Sequence, residues 1–329
     1  MSKYATQNDD STEPTIPPTN DHQPNHFLDV DDIGEDGLAE VLSTAAELKQ
    51  AHYEGESHAV LPNKSLGMLF EKPSTRTRVS FEAGMTQLGG HAVFLGPQNT
   101  HLDRGEPVSD TARVLSRYVD AVMARVFDHE AIETMAEYAT VPVVNGLSDD
   151  AHPCQTLADL FTIYEQFGGF EDVTAAWVGD GNNVAQSFAV GCAMTGVELT
   201  MATPEGYEPD EEVLARAAEY SDGEGDAPEV THDPEEAVTD ADVVYTDVWV
   251  SMGQEDEREA KLGDFDGYQV NAELLESADD PIVMHCLPAH RGEEITGGVL
   301  ESESAVVWSQ AENRMHTQKA LLAHLLDAK

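Results

Sequence analysis

From residue 65 onward, short uninterrupted apolar runs alternate with longer stretches in which apolar positions recur every three or four residues. Short runs of this kind read as strands buried on both faces, and the longer stretches read as amphipathic helices. Strands are predicted at 65–70, 92–95, 121–126 and 141–145, with helices at 79–88 and 109–118, the latter carrying Arg113 and Arg117 on one face. A further amphipathic helix at 156–167 precedes a second series of strands at 173–178, 198–202, 242–246, 281–285 and 305–309. A helix at 313–326 closes the chain, and 221–233 reads as a surface loop. Strands alternating with helices predict an α/β fold of doubly wound parallel sheets. The break near 150–168 divides it into two such domains in tandem. Residues 1–26 are polar, contain four prolines and read as a disordered acidic tail.

The polar clusters fall at the ends of the predicted strands. Pro73-Ser74-Thr75-Arg76-Thr77-Arg78 follows the first, and Arg125 ends the third. Gly179-Asp180-Gly181-Asn182-Asn183 follows 173–178, and Asp247 through Gly253 follows 242–246. His285-Cys286-Leu287-Pro288 and Ala311-Glu312-Asn313-Arg314 follow the last two. Parallel sheets bind their ligands at the carboxyl ends of strands, often at a helix N-terminus.

Charge sharpens this picture. The chain has 17 Lys and Arg against 63 Asp and Glu, a net charge of −46. Yet between Lys72 and Arg125 there are seven basic residues (Lys72, Arg76, Arg78, Arg104, Arg113, Arg117, Arg125) and five acidic ones. A positive island of Arg, Ser and Thr in so acidic a chain marks an anion site, because guanidinium forks and short hydroxyls grip phosphate oxygens in fixed geometry. The acidity disfavours nucleic acid and anionic membranes as partners. Asp and Glu are spread over the whole length, which points to a salt-rich cytoplasm where self-repulsion is screened. Three Cys without disulfide or zinc spacing suit a reducing cytoplasm, and no apolar run approaches the roughly 20 residues of a spanning helix.

Each cluster suggests its own chemistry. His152-Pro153-Cys154-Gln155 puts an imidazole and an amide on one turn, suited to a carbonyl oxygen and its adjacent amide. No second pair completes a metal site with His152 and Cys154, so no metal is expected. The 179–183 segment lacks the third glycine of a dinucleotide fingerprint, since Val184 stands there, which argues against an NAD-dependent dehydrogenase. Asn183 is placed to hold a carboxylate or an amine. Asp247 and Ser251, backed by Trp249, are placed to clamp an ammonium group. Cys286 is a thiol nucleophile only if a base lies beside it in space.

In this order, PSTRTR, Arg125, HPCQ, GDGNN, DVWVSMG, HCLP and AENR resemble the aspartate/ornithine carbamoyltransferase family over residues 27–329, and the SMG segment resembles its ornithine-specific branch. The resemblance implies transfer of a carbamoyl group from carbamoyl phosphate to the side-chain amine of L-ornithine, giving citrulline and phosphate. Another acceptor amine is the alternative within the family. It implies a carbamoyl-phosphate domain at 27–155, an ornithine domain at 156–310 and a final helix at 311–329 returning to the first domain. Ser74, Thr75, Arg76 and Thr77 are then expected to bind phosphate, with Arg314 completing the anion site. Arg125 and His152 are directed at the carbonyl oxygen. Gln155 is expected to hold the carbamoyl amide with the Cys286 and Leu287 backbone. Asn183, Asp247, Ser251 and Met252 are expected to hold ornithine, and Arg76, Arg125, His152 and Cys286 form the catalytic set. No cofactor is implied. A homotrimer or an assembly of trimers is, with His101, where the family usually has Gln, reaching carbamoyl phosphate in a neighbouring subunit. Cys154 replaces the usual Thr of HPTQ.

Overall fold

The computed structural model describes residues 25–97, 100, 105–220, 227–251 and 258–327. A 3-10 turn at Val30–Ile33 leads into α1 (Gly34–Glu54). There follow β1 (Ser65–Phe70), α2 (Thr75–Gln87), β2 (His91–Leu95), α3 (Val108–Leu115), β3 (Ala121–Arg125), α4 (His129–Tyr138) and β4 (Val143–Leu147). Helix α5 (Pro153–Phe167) connects these to β5 (Thr174–Val178), α6 (Asn183–Thr195), β6 (Glu198–Ala202), α7 (Glu211–Ala218) and β7 (Glu229–Thr231). The chain continues through α8 (Pro234–Val238), β8 (Val243–Thr246), α9 (Arg258–Asp264), α10 (Ala272–Leu275), β9 (Ile282–His285), α11 (Gly297–Leu300) and α12 (Val307–Leu325). The strands form two parallel sheets, ordered β2-β1-β3-β4 and β7-β6-β5-β8-β9, so the fold is the expected α/β type.

Both orders reverse direction once, between β1 and β3 and between β5 and β8. At such a switch point the following loops run to opposite faces of the sheet and leave a crevice at the carboxyl edge. The segments after β1 and β3 carry Arg76 and the end residue Arg125. Those after β5 and β8 carry the 179–183 loop and Asp247.

Strands β3 and β8 are buried at every position, which is why each reads as an unbroken apolar run. Helix α1 buries Leu38, Val41, Leu42, Ala45 and Leu48, a clear 3.6-residue period, and stops where Gly55 takes a left-handed conformation at φ 71°. Residues 153–163 of α5 are all buried, because the helix lies against both α6 and α12. The α5–α6 approach requires Gly191, where a Cβ would stand 2.5 Å from Thr156 Cγ2.

Three expectations are corrected. The 305–309 stretch is not a strand: Ala305 makes a single parallel bridge to Val283, and α12 has begun by Val307. The Gln310 side chain then accepts from the His285 N–H at 2.9 Å, taking the place of a further strand beside β9. The 221–233 segment is not wholly a loop, because Glu229–Thr231 pairs with β6 as the sheet's last strand. The closing helix starts earlier than expected and packs on α1, α2 and α5. No helix among the described residues is long and apolar enough to cross a membrane.

Candidate active site

A cleft of about 1190 Å³ opens where the carboxyl ends of the two sheets face each other. One wall comes from the first sheet. Ser74 caps α2, its Oγ accepting from the Thr77 N–H at 3.2 Å, which turns the helix N-terminus and Ser74, Thr75 and Arg76 toward the cleft. Arg125 enters from the end of β3 and is 6% exposed. Burial, with Arg314 and Arg76 close by, pulls its guanidinium down to about 9. It therefore remains charged near neutral pH, and its Nε has no hydrogen-bond partner among the described residues.

Helices α5 and α12 form the floor. Arg314 Nη2 donates to Thr77 Oγ1 at 3.0 Å, and Nη1 donates to Gln155 Oε1 at 2.9 Å. Nη1 also lies 3.5 Å from His152 Nε2. Burial and the positive charges of Arg314, Arg125 and Arg76 hold the His152 imidazole well below its usual range. The ring is neutral. With Nε2 turned to a guanidinium, the proton is assigned to Nδ1, which is buried without a partner among the described residues. Thr77 and Gln155 are fully buried and connect to the cleft through Arg314.

The opposite wall belongs to the second sheet. Asp247, 5% exposed, accepts from Cys286 Sγ–H at 3.0 Å and from Asn182 Nδ2 at 3.3 Å. Burial first, and then the Asp247 charge, push the Cys286 thiol well above its ordinary value. It is a donor to a carboxylate, and among the described residues no imidazole base is paired to it, which argues against the nucleophile reading. Asn183 donates to the Ser148 carbonyl at 2.6 Å, and Ser251 lines the cleft. Leu287 sits at φ 58°, its N–H donating to His285 Nδ1 at 2.9 Å, while His285 Nε2 bonds Glu294 Oε1 at 3.0 Å. Asp247, His285 and Cys286 have metal-binding atom types close together, but both His285 nitrogens are already engaged.

The 179–183 loop is closed to a dinucleotide. Asn182 Oδ1 accepts from the N–H groups of Val184 and Ala185, occupying the helix donors a pyrophosphate would use. Gly181 packs onto the backbone of residues 207–209, where a Cβ would meet Pro209 N at 2.3 Å.

The structure thus brings Ser74, Thr75, Arg76, Arg125, His152, Asn183, Asp247, Ser251, Cys286, Leu287 and Arg314 to one cleft. His101 and Met252 lie outside the described residues. Sequence reasoning counted Lys72 in the positive island without giving it a role here, and it missed Lys261. Lys72 is buried, ion-paired with Asp149 and set 4.3 Å over the Phe127 ring. Lys261 pairs with the buried Asp180 at 2.6 Å. Lys is scarce in this chain, and that scarcity was a usable signal for both.

The comparisons agree with this geometry. The carbamoyl-P binding domain of aspartate/ornithine carbamoyltransferases matches residues 25–165, and the Asp/Orn binding domain of the same enzymes matches residues 171–325. The chain is 60% identical over 301 residues to the ornithine carbamoyltransferase of Haloquadratum walsbyi, covering 92% of this chain and 97% of that protein. It is 57% identical over 302 residues to that of Archaeoglobus fulgidus, covering 92% and 97%. Among solved structures, the ornithine carbamoyltransferase of Pyrococcus furiosus superposes with a TM-score of 0.90 at 52% identity, covering 93% of this chain and 98% of that one. A cleft between two parallel sheets, with Arg76, Arg125 and Arg314 on one side and Asp247 on the other, is thus joined to similarity over nine-tenths of the chain, and the chain belongs to the aspartate/ornithine carbamoyltransferase family.

Proposed function

We propose that this cleft carries out the ornithine carbamoyltransferase reaction, moving the carbamoyl group of carbamoyl phosphate to the side-chain amine of L-ornithine to give citrulline and phosphate. The observation that carries the reading is the division of charge across the cleft. Arg76, Arg125 and Arg314 gather on one side, and Asp247 stands on the other beside Asn182 and Cys286.

In this reading the phosphate lies against Ser74, Thr75, Arg76 and the α2 N-terminus, with Thr77 and Arg314 behind it. The carbonyl oxygen faces Arg125 and the unpartnered Nδ1–H of His152. Gln155 Oε1 accepts from the carbamoyl –NH₂, aided by the backbone at Cys286 and Leu287. Asp247, Asn183, Ser251 and Met252 hold ornithine.

The side-chain amine, with a reference pKa near about 10.4, must shed a proton before it attacks. Its lone pair then forms the new C–N bond, and negative charge builds on the carbonyl oxygen. Arg125 and His152 meet that charge in a site already oriented for it. Collapse breaks the C–O bond to phosphate, which leaves with the electron pair and takes up the proton that the newly bonded nitrogen releases. A neutral His152 donates a hydrogen bond here without itself giving up a proton.

We further propose that the chain works as a homotrimer in the cytoplasm. Among the described residues the first sheet ends at β2 with no further strand beside it; Val93 is exposed there, and the adjoining α2 exposes Val79. An open edge with apolar neighbours invites a second copy. The three Cys are buried free thiols, which suits a reducing compartment.

The test is citrulline formation from ornithine and carbamoyl phosphate at molar KCl, with aspartate as a competing acceptor. Citrulline alone supports the reading. Carbamoylation of another amine, with ornithine inert, overturns it.

A further inference from the structure

The amide of Gln155 can present either its oxygen or its nitrogen to the cleft, and the two are nearly isosteric. Only one orientation serves a carbamoyl –NH₂, which offers donors and needs an acceptor. The choice is made on the buried side of the residue. Gln155 Nε2 donates to Asp159 Oδ1 at 2.7 Å, one helical turn further along α5. This leaves Oε1 to accept from Arg314 Nη1 at 2.9 Å, the side chain through which Gln155 connects to the cleft.

Asp159 is itself fixed from three sides. It is fully buried, and Gln310 Nε2 of α12 donates to the same Oδ1 at 2.7 Å. Tyr245 of β8 donates its hydroxyl proton to Oδ2 at 3.0 Å. Gln310 in turn is anchored by accepting from the His285 N–H at 2.9 Å. Each of these contacts on the carboxyl is a donor, so the carboxyl presents an acceptor to Gln155 and takes only the Nε2 donor from it.

We infer that Asp159 is a positioning residue for the transfer reaction: its Oδ1 fixes the Gln155 amide with oxygen toward the carbamoyl group. This rests on the function proposed above. The role is that of an acceptor and does not depend on charge. A proton on Oδ2 would point at Tyr245, whose oxygen can accept, and Oδ1 would keep both Gln donors. Burial raises the carboxyl to about 7, so both protonation states are populated near neutral pH. The other ionisable groups around it are Arg314 from α12, Cys192 from α6, Tyr245 from β8 and Cys286 beyond β9. Both thiols and the phenol are pushed well above their ordinary values by burial.

The experiment is a double-mutant cycle with three variants: Gln155→Ala, Asp159→Leu and the pair. Direct carbamoyl phosphate binding, kcat, the ornithine KM and the melting temperature are read for each. Asp159→Leu should weaken carbamoyl phosphate binding and kcat by about 10-fold or more, because it leaves both Gln Nε2 groups without an acceptor and Gln155 held by Arg314 alone. The ornithine KM should hold. In the Gln155→Ala background the same change should cost less than about threefold, since coupled residues are non-additive. Full additivity overturns the inference.

Asp159→Asn supplies an arm that needs no folded Leu variant. Its Oδ1 accepts from both Gln side chains while its –NH₂ faces the Tyr245 oxygen. Carbamoyl phosphate affinity should stay within about threefold of wild type, with the same profile from pH 6 to 8. A loss as large as that of Gln155→Ala would show that charge, not orientation, is what Asp159 supplies. A wild-type protein that makes no citrulline would instead remove the functional reading on which all of this rests.

Discussion

Arg314 Nη2 lies 3.0 Å from Thr77 Oγ1, so a residue of the last helix is hydrogen-bonded to the first turn of the helix that follows the first strand. The contact joins the two ends of the fold at the phosphate side of the cleft. Burial lowers the Arg314 guanidinium below its ordinary value, a cost accepted for placing a fork where two neutral acceptors await it. Both the distance and the planarity of the fork matter, because one side chain must reach Thr77 and Gln155 at once.

Arg314→Lys should therefore behave as a severe change despite keeping the charge. An ammonium cannot make both bonds in the directions the fork does. We expect kcat to fall on the order of 10²-fold, as for loss of an oriented donor at a site of developing charge. Carbamoyl phosphate affinity should weaken with it, and the ornithine KM should change little. Steady-state kinetics at saturating levels of each substrate check this. A Lys variant with near wild-type kcat would show that charge alone suffices at this position.

Asp247→Asn separates the two halves of the cleft. The carboxylate accepts from Cys286 and Asn182 and lines the wall away from the three Arg residues. An amide there loses the charge and turns a donor toward one of these two donors. Truncating a buried charge partner costs about 2–5 kcal/mol. Ornithine affinity should fall accordingly while carbamoyl phosphate binding, measured alone, stays close to wild type. If carbamoyl phosphate binding were what fell, the assignment of the two walls would be reversed.

Much of this site was legible in the sequence because its residues sit at strand ends, and fully buried parallel strands write themselves as apolar runs. Asp159 was not legible. It lies within the amphipathic pattern of α5 and reads there as a surface residue, since nothing local reveals that α12 covers it. The start of α12, though not its later turns, hid for a related reason. Its buried face carries Gln310, Asn313, Arg314, Thr317 and Lys319, so the apolar period that marks an ordinary packed helix is missing. Its first turn, Val307 and Trp308, continues an apolar run that imitates a strand. Polar burial of this kind is intelligible only after the partners are known: Asn313 Nδ2 donates to Thr162 Oγ1, and Lys319 Nζ to Gln87 Oε1. Lys319, fully buried in this way, is pulled down to about 8.

Asp159 also predicts a pH signature in stability. Its carboxyl rises on folding from the ordinary 3.8 to about 7, chiefly through burial. Between those values the native state holds a proton that the unfolded chain has lost, so wild-type stability from this group declines as pH rises through the window. Above about pH 7 the penalty is complete; below pH 4 it is absent. Asp159→Asn carries no such term. Its stability relative to wild type should grow by up to about 1.4 kcal/mol per pH unit across the window and then level off. Urea unfolding of both proteins at pH 5, 6, 7 and 8 tests this. A difference that is constant with pH would mean that the carboxyl titrates normally in the native state.

The last prediction concerns salt. A net charge of −46, with only seven Lys in the chain, leaves few cations to offset neighbouring carboxylates. Several of the Arg pairs that do form, Arg78 with Glu82, Arg113 with Asp110 and Arg291 with Glu301, lie on the exposed surface, where an ion pair contributes little. At about 0.1 M salt the Debye length is about 10 Å, so carboxylates repel one another across much of the surface. Near 1 M it shrinks to about 3 Å, and only contact pairs still interact. Salt should therefore raise the melting temperature steeply. It should also weaken the attraction between dianionic carbamoyl phosphate and the cleft, but only modestly. Arg125 and Arg314 are 6% and 3% exposed, and buried charges are screened far less than surface ones. Thermal unfolding and carbamoyl phosphate binding, measured in parallel from about 0.1 to 3 M KCl, check both halves. A melting temperature that does not move would remove the link between the acidic composition and a salt-rich cytoplasm. Carbamoyl phosphate affinity that collapses with the first few tenths molar salt would mean that the guanidinium groups meet their ligand in open solvent, contrary to the buried site described here.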